Sequence, residues 1–241
     1  MKSKKFTYTG NELDFFEKAY NWKKYYYSLS SKYFSHDSTV LEVGAGIGGL
    51  TKAFADKINF KKWTCIEPEE QNFFKLKENI LNLSNNDLFC YENIDINNFL
   101  QNSESYDVII LADVLEHIQN DKDILMNLYN HLSPGGKIII FVPSCQFLYS
   151  VFDFQIGHFR RYSMSTLSFI LPNKSKILCA KYIDSLGFFA LLINKLFLKS
   201  SNPTLKQVLF WDRIIVKVSR FLDKLLSYSF GKNIFLILSK Q

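Results

Sequence analysis

Two stretches of the chain gather residues whose types and spacing can do chemistry. In the first, Val40-Leu41-Glu42-Val43-Gly44-Ala45-Gly46-Ile47-Gly48-Gly49, an apolar run that reads as a buried strand passes through glycines into a helical stretch. Glycines at that junction allow a tight turn and let backbone N–H groups come close to a ligand. The implied chemistry is the holding of a nucleotide. The second stretch lies further on, where Leu115-Glu116-His117 and Asp153-Phe154-Gln155-Ile156-Gly157-His158-Phe159-Arg160-Arg161-Tyr162 collect acids, imidazoles and guanidiniums.

A glycine-rich turn by itself leaves two readings open, because dinucleotide dehydrogenases place Gly-x-Gly-x-x-Gly at the same junction. The acids that follow favour one of them. Glu42 stands two residues before Gly44, inside the strand. Glu67-Pro68 closes the next apolar run, with Glu67 23 positions after Gly44, near the spacing at which a carboxylate accepts bonds from ribose hydroxyls. Asp95-Ile96 closes the third run, at a position for which a dehydrogenase has no use.

In the second stretch, His117 and His158 are the leading general bases, since a neutral imidazole accepts a proton near pH 7. Asp113 and Asp153 stand behind them. Arg160 and Arg161 present planar forks suited to a phosphate or carboxylate, or one of them pairs with Asp153 and braces the loop. Tyr162 is read either as positioning a nucleophile or as packing. His36 and His131 look like surface or helix-end residues. Cys65, Cys90, Cys145 and Cys179 are scattered singly, without the close pairs of zinc or redox motifs, so reduced core residues and no metal are expected.

The elements that must position these groups alternate between strand and helix. Strands are expected at Val40–Gly44, Trp63–Glu67, Leu88–Asp95, Tyr106–Asp113 and Lys137–Pro143, and helices at Gly49–Lys57, Glu69–Leu81 and Asp121–Leu132. Pro134-Gly135-Gly136 is expected to turn the chain. The aromatic stretch Glu12–Phe34 reads as a helical cap over the pocket. Lys176–Ile183 and Asn233–Leu238 read as the last two strands, separated by helices at Leu186–Leu198 and Leu205–Leu226 with a break at Ser200-Ser201-Asn202-Pro203. In the second of these helices Val208, Trp211, Ile215, Val218, Phe221, Leu222 and Leu225 form an apolar stripe, with Lys206, Arg213, Lys217 and Lys224 elsewhere. A cover helix is the favoured reading, and a membrane-surface helix the other.

The implied fold is α/β: a doubly wound, Rossmann-like sheet of seven strands, mostly parallel with an antiparallel last strand, under helical cover from the N-terminus and between the last two strands. A single domain over residues 1–241 is expected, with a helical cap at 1–36, a cofactor-binding core at 37–184, a helical insertion at 185–231 and a last strand at 232–241. With 47% hydrophobic residues in 241, one sizeable core can be buried. The charge of +6 is dispersed and selects no partner by itself. No secretory leader is read at Met1–Lys5 and no apolar run reaches the length of a spanning helix, so a cytoplasmic location is expected.

From about Trp22 to the C-terminus the chain resembles the class I S-adenosylmethionine-dependent methyltransferases, particularly the bacterial branch associated with glycan and secondary-metabolite methylation. Glu42-x-Gly44-x-Gly46-x-Gly48 is similar to that family's first motif, Tyr106–Ile118 to its fourth, Leu132-Ser133-Pro134-Gly135-Gly136 to the turn before its fifth strand, and Asp153–Tyr162 to the D-x-x-x-G-H-x-R-R-Y segment of that branch. The resemblance implies that Gly44, Ala45 and Gly46 wrap the methionine end of the cofactor. It also implies that Asp95 meets the adenine amino group, Ile96 packs the ring, and Ala112 and Asp113 end a strand beneath the cofactor. Trp22 matches the family's N-terminal tryptophan, but Asn21 stands where related chains often carry Arg.

The expected reaction is O-methylation of a sugar, a glycolipid intermediate or another small metabolite, with N-methylation as the alternative. A non-catalytic cofactor-fold module docking a membrane or partner enzyme through its helical insertion is a further reading, and a dehydrogenase is the last. Nucleic acid is not an expected partner, because Asp113-Val114-Leu115-Glu116 stands where methylases of flipped bases carry Asn/Asp-Pro-Pro-Tyr.

Overall fold

Seven runs rich in β-branched and aromatic residues form strands: β1 (Ser38–Val43), β2 (Phe60–Ile66), β3 (Phe89–Glu92), β4 (Tyr106–Ala112), β5 (Leu132–Pro143), β6 (Ser175–Ile183) and β7 (Asn233–Lys240). They pair into one sheet in the order β3-β2-β1-β4-β5-β7-β6. β1 to β5 pair in parallel, and β7 runs antiparallel to both its neighbours. This is the seven-stranded, mostly parallel Rossmann-like sheet expected. The computed structural model describes residues 12–101, 103–198 and 203–241. The start at Met1–Lys5 and the Ser200-Ser201-Asn202 part of the expected break lie outside the described residues.

A central strand covered on both faces must be apolar throughout. Val108 to Leu111 of β4 and Ile138 to Val142 of β5 are accordingly buried on both sides, feeding two hydrophobic layers. The helices α1 (Glu12–Glu17), α2 (Tyr20–Ser30), α3 (Gly49–Ala55), α4 (Glu70–Ile80), α5 (Ile96–Phe99), α6 (Asp121–Asn130), α7 (Val151–Gln155), α8 (Met164–Ile170), α9 (Ser185–Ile193), α10 (Leu205–Phe210) and α11 (Val216–Leu225) cover these layers. α2 and α3 lie on one face, with Trp22, Tyr25 and Phe54 buried there, while α6 and α8 bury Leu125, Leu128 and Leu167 on the other.

Several local expectations are corrected. Pro134-Gly135-Gly136 does not turn the chain. It lies within β5, where the partner of β4 jumps from Leu132 opposite Tyr106 to Lys137 opposite Val108. Gly135, at φ 74°, absorbs that bulge in a left-handed conformation costly for a residue with a Cβ. The third strand stops at Glu92, because the Asp95 side chain already accepts bonds from the N–H groups of Asn97 and Asn98 and so starts α5. The cap stretch is two helices, interrupted at Lys18-Ala19. Of the cysteines expected in the core only Cys65 is buried, whereas Cys90 is exposed on the edge strand β3.

The stripe expected on the last helix is also displaced. Between α10 and α11 the residues Trp211–Ile215 form a π-helical turn, which shifts the phase of the face that follows. The buried positions are Val208, Asp212, Val216, Ser219 and Asp223, while Val218, Phe221 and Leu225 face outward. The three polar residues are inside because each closes hydrogen bonds from another segment. Asp212 accepts from the Trp22 N–H and the Asn21 amide at the start of α2. Asp223 accepts from the Tyr25 hydroxyl and from the Asp184 and Ser185 N–H groups, and the Ser219 hydroxyl donates to Asp184. The cap and the helical insertion are thus tied together through buried acids.

Candidate functional site

The strands β1, β4 and β5 end at one edge of the sheet, where an open α/β fold binds its ligands. A cavity of about 790 Å³ lies there, lined by the glycine turn, the ends of β4 and β5, the cap and the insertion. Gly44 (φ 65°) and Gly46 (φ 56°) carry the chain out of β1 in left-handed conformations and border this cavity with Ala45. The Gly46 N–H donates to Glu67 Oε2 at 2.8 Å and the Glu69 N–H to Glu67 Oε1 at 3.0 Å. Glu67 therefore fastens the turn to the end of β2. A Cβ built on Gly46 would meet nothing nearer than Leu13 at 4.0 Å, so the space above it is cavity a ligand can fill.

Glu42 is buried, and its Oε2 accepts from the Thr51 hydroxyl at 2.8 Å and the Trp63 indole N–H at 2.9 Å. It joins β1 to α3 and β2. Burial pushes its carboxyl up from the usual 4.5 to about 7, against those two bonds. An acid whose folded value is raised stabilises the fold fully below its unfolded value, and that stability is lost as pH rises through the folded one. The expected outcome is a decline of about 3 kcal/mol in unfolding free energy between about pH 4.5 and 7, at 1.36 kcal/mol per unit. Urea melts across that range check it, and Glu42→Gln flattens this part of the slope.

Of the other residues expected at the cofactor, Ala112, Asp113 and Trp22 border the cavity. Trp22 packs between Tyr26 and Trp211, with ring centroids 4.5 and 5.2 Å away. Asp113, at φ 55°, accepts from the Tyr26 hydroxyl at 3.3 Å and the Asn233 amide at 3.4 Å. Burial raises its carboxyl to about 6, against the opposing pull of His158 and Lys232. Pro68, Asp95 and Ile96 stand beyond the ends of β2 and β3, outside the lining of the cavity.

The groups from the second stretch meet on the same cavity, with His117, His158, Glu116 and Arg161 all on its wall. His158 Nδ1 lies 2.8 Å from Asp153 Oδ1, and its Nε2 lies 3.8 Å from Glu116 Oε1. The His117 and His158 rings meet edge to face at 4.6 Å. Burial, with the neighbouring His158, pushes His117 down to about 3, which keeps it neutral at physiological pH. Arg161 grips Asp153 with two bonds, Nε to Oδ1 at 2.9 Å and Nη2 to Oδ2 at 3.0 Å. Asp153 accepts as well from the N–H and hydroxyl of Ser150 at the start of α7.

Arg161 is thus the brace, while Arg160 is turned to Asp121 and the Gln119 carbonyl. Tyr162 is buried off the cavity, its hydroxyl donating within 2.7 Å of Asp121 and 3.1 Å of the Leu115 carbonyl. It holds the loop rather than reaching inward. Backbone bonds from Phe159 N–H to Glu116 and from Tyr162 N–H to Pro143 stitch this segment onto β5 and the Leu115–His117 turn. Sequence reasoning missed Lys232 and Trp211: the ammonium lies 3.8 Å above the indole on the cavity wall, 3.4 Å from Asp184. Nothing in their local sequence marks them.

Residues 41–138 match the family model described as "Methyltransferase domain". The matched segment runs from β1 through β4 into β5, with the glycine turn inside it. Over 121 residues the chain is 30% identical to the mitochondrial ubiquinone biosynthesis O-methyltransferase of Dictyostelium discoideum, which is 45% of this chain and 36% of that protein. The match therefore spans about a third of that relative's length. The fold is also that of a SAM-dependent methyltransferase from Archaeoglobus fulgidus, with TM-score 0.59, 19% identity, and 96% and 100% of the two chains covered. Coclaurine N-methyltransferase bound to N-methylheliamine and S-adenosylhomocysteine gives TM-score 0.61 at 14% identity, over 92% of this chain and 72% of that one. No helix among the described residues is long and apolar enough to cross a membrane.

Proposed function

We propose that the chain, as one domain, transfers a methyl group from S-adenosylmethionine to a hydroxyl oxygen of a small acceptor, a sugar, a glycolipid intermediate or a similar metabolite, in the cytoplasm. The observation that carries this reading is the one cavity lined both by the glycine turn and by the acid and imidazole cluster. The cofactor supplies a methyl carbon on a sulfonium, and displacement from it needs nucleophile, carbon and sulfur held in line. Gly44 to Gly46 and Trp22 would hold one end of that line. His158 and Asp113 would take the acceptor's proton, and the neutral His117 would orient its hydroxyl. The bacterial branch suggested by the Asp153–Tyr162 segment supports a glycan-type acceptor.

Calorimetric titration with S-adenosylmethionine, S-adenosylhomocysteine and nicotinamide dinucleotides tests the reading. Micromolar binding of the adenosyl ligands is expected, weakened roughly 10- to 100-fold in Glu67→Ala, since a charge-assisted hydrogen bond contributes about 1.5–3 kcal/mol. Binding of dinucleotides alone would sink the proposal and restore the dehydrogenase.

A further inference from the structure

The helical insertion presents a second face, opposite the one it buries. Through its π turn the helix runs as one rod from Leu205 to Leu225, with Asp212, Val216, Ser219 and Asp223 inward. Successive residues of a helix stand about 100° apart, so positions two further on lie on the far side. Those positions are Ile214, Val218, Phe221 and Leu225, all exposed, the last two at 70% each, and Phe210 before them is exposed too. Between the two faces runs a basic row of Arg213, Lys217 and Lys224, also exposed. From Ser185 to Leu226 the only acids are Asp212 and Asp223. Both are buried and bonded to α2, so the basic row is not neutralised by its own helix. α9, which packs against α11, exposes Phe189 and Ile193 as well. A helix that only covers a core carries polar residues on its outer face. Here the outer face is apolar and its flank basic, the composition of a helix that lies in the plane of a bilayer surface.

We propose that the helix Leu205–Leu225 docks flat on an anionic lipid bilayer. Phe210, Ile214, Val218, Phe221 and Leu225 enter the headgroup region, and Arg213, Lys217 and Lys224 meet lipid phosphates. Charge selects this occupant. A second copy of the chain would bring basic row to basic row with no exposed acid of the stretch between them, whereas an anionic surface attracts every member of the row. No helix among the described residues is long and apolar enough to cross a membrane, so the contact is peripheral. Lys206 and Phe210 also line the cavity. An acceptor with an apolar tail would then keep the tail in the bilayer while its polar head enters the cavity. This consequence rests on the methyltransferase reading, and the docking itself does not.

The full chain, without cofactor or acceptor, is sedimented with vesicles of phosphatidylcholine alone and of phosphatidylcholine and phosphatidylglycerol in equal parts. Binding to the mixed vesicles is expected to be roughly 10-fold or more tighter than to the neutral ones. It weakens steeply at about 1 M salt, where the screening length is about 3 Å. A basic residue near such a surface contributes about fivefold, so Lys217→Glu/Lys224→Glu loses at least about 25-fold. Phe221→Ser/Leu225→Ser loses at least about 10-fold through the apolar contact. All four side chains are exposed, so circular dichroism melts of both variants match wild type. No binding to the mixed vesicles overturns the proposal, and so does binding that neither double variant diminishes. A wild-type dimer that ignores vesicles, and that Phe221→Ser/Leu225→Ser splits into monomers, assigns the face to a second copy and overturns it too. Adenosyl ligands bound by a chain that ignores vesicles remove the docking alone. Vesicle binding by a chain that takes no adenosyl ligand removes only the methyltransferase reading.

Discussion

Gly46→Val is expected to weaken S-adenosylhomocysteine binding at least 1,000-fold, about 4 kcal/mol, while the protein still folds. Two effects arise at this position. Gly46 has φ 56°, and a β-branched residue held there costs about 1–3 kcal/mol of stability. Its side chain would also project into the cradle, where only Leu13 lies within 4.0 Å. Gly135→Val separates the two. It carries the same kind of backbone strain, at φ 74° in the bulge of β5, with nothing within 4 Å of its Cβ and no place on the cavity. Calorimetry on both variants should find adenosyl binding lost in the first and retained in the second. Equal loss in both would mean that backbone strain, and not occupation of the cradle, controls binding.

Asp153→Ala is expected to destabilise the fold by about 3–5 kcal/mol, because it leaves the buried Arg161 guanidinium without its carboxylate. For a chain of this size that lowers the melting temperature by roughly 6–20 °C. Five donors converge on Asp153: the N–H and hydroxyl of Ser150, two guanidinium nitrogens of Arg161 and the His158 ring. The residue anchors α7 and sets the His158 ring against Glu116, and it makes no bond to the glycine turn. Methyl transfer should therefore fall at least 100-fold at temperatures where the variant is folded, with S-adenosylhomocysteine affinity within a few-fold of wild type. A parallel loss of cofactor affinity would show that the variant had merely unfolded the domain.

The legibility of the site differs between its two ends for a physical reason. The glycine turn and Glu67 flank one helix along the chain, so their spacing places Glu67 near the turn; it was read as an acceptor for ribose hydroxyls, and its two oxygens accept from the Gly46 and Glu69 N–H groups. The pairing of Arg161 with Asp153 was one of two readings the loop allowed, since a guanidinium eight residues from a carboxylate reaches it only if the loop closes. Asp95 had a local fate open to it as well, and its oxygen does cap α5. Val218, Phe221 and Leu225 of the last helix were read as inward, in place of Asp212, Ser219 and Asp223, because an acid is ordinarily a surface residue. Asp212 and Asp223 break that rule only by serving partners about 190 positions away along the chain.

Composition and the alternation of apolar runs with helical stretches were enough to determine the α/β class and the seven strands. These depend on local periodicity and on side chains near each other in sequence. Only the tertiary structure brought Glu116, His117 and His158 to one point and turned Tyr162 away from the cavity. It alone set Lys232 over Trp211. Each of these depends on which loops the sheet order β1-β4-β5-β7 places side by side, and on the burial that decides whether a polar group finds a partner or stands without one.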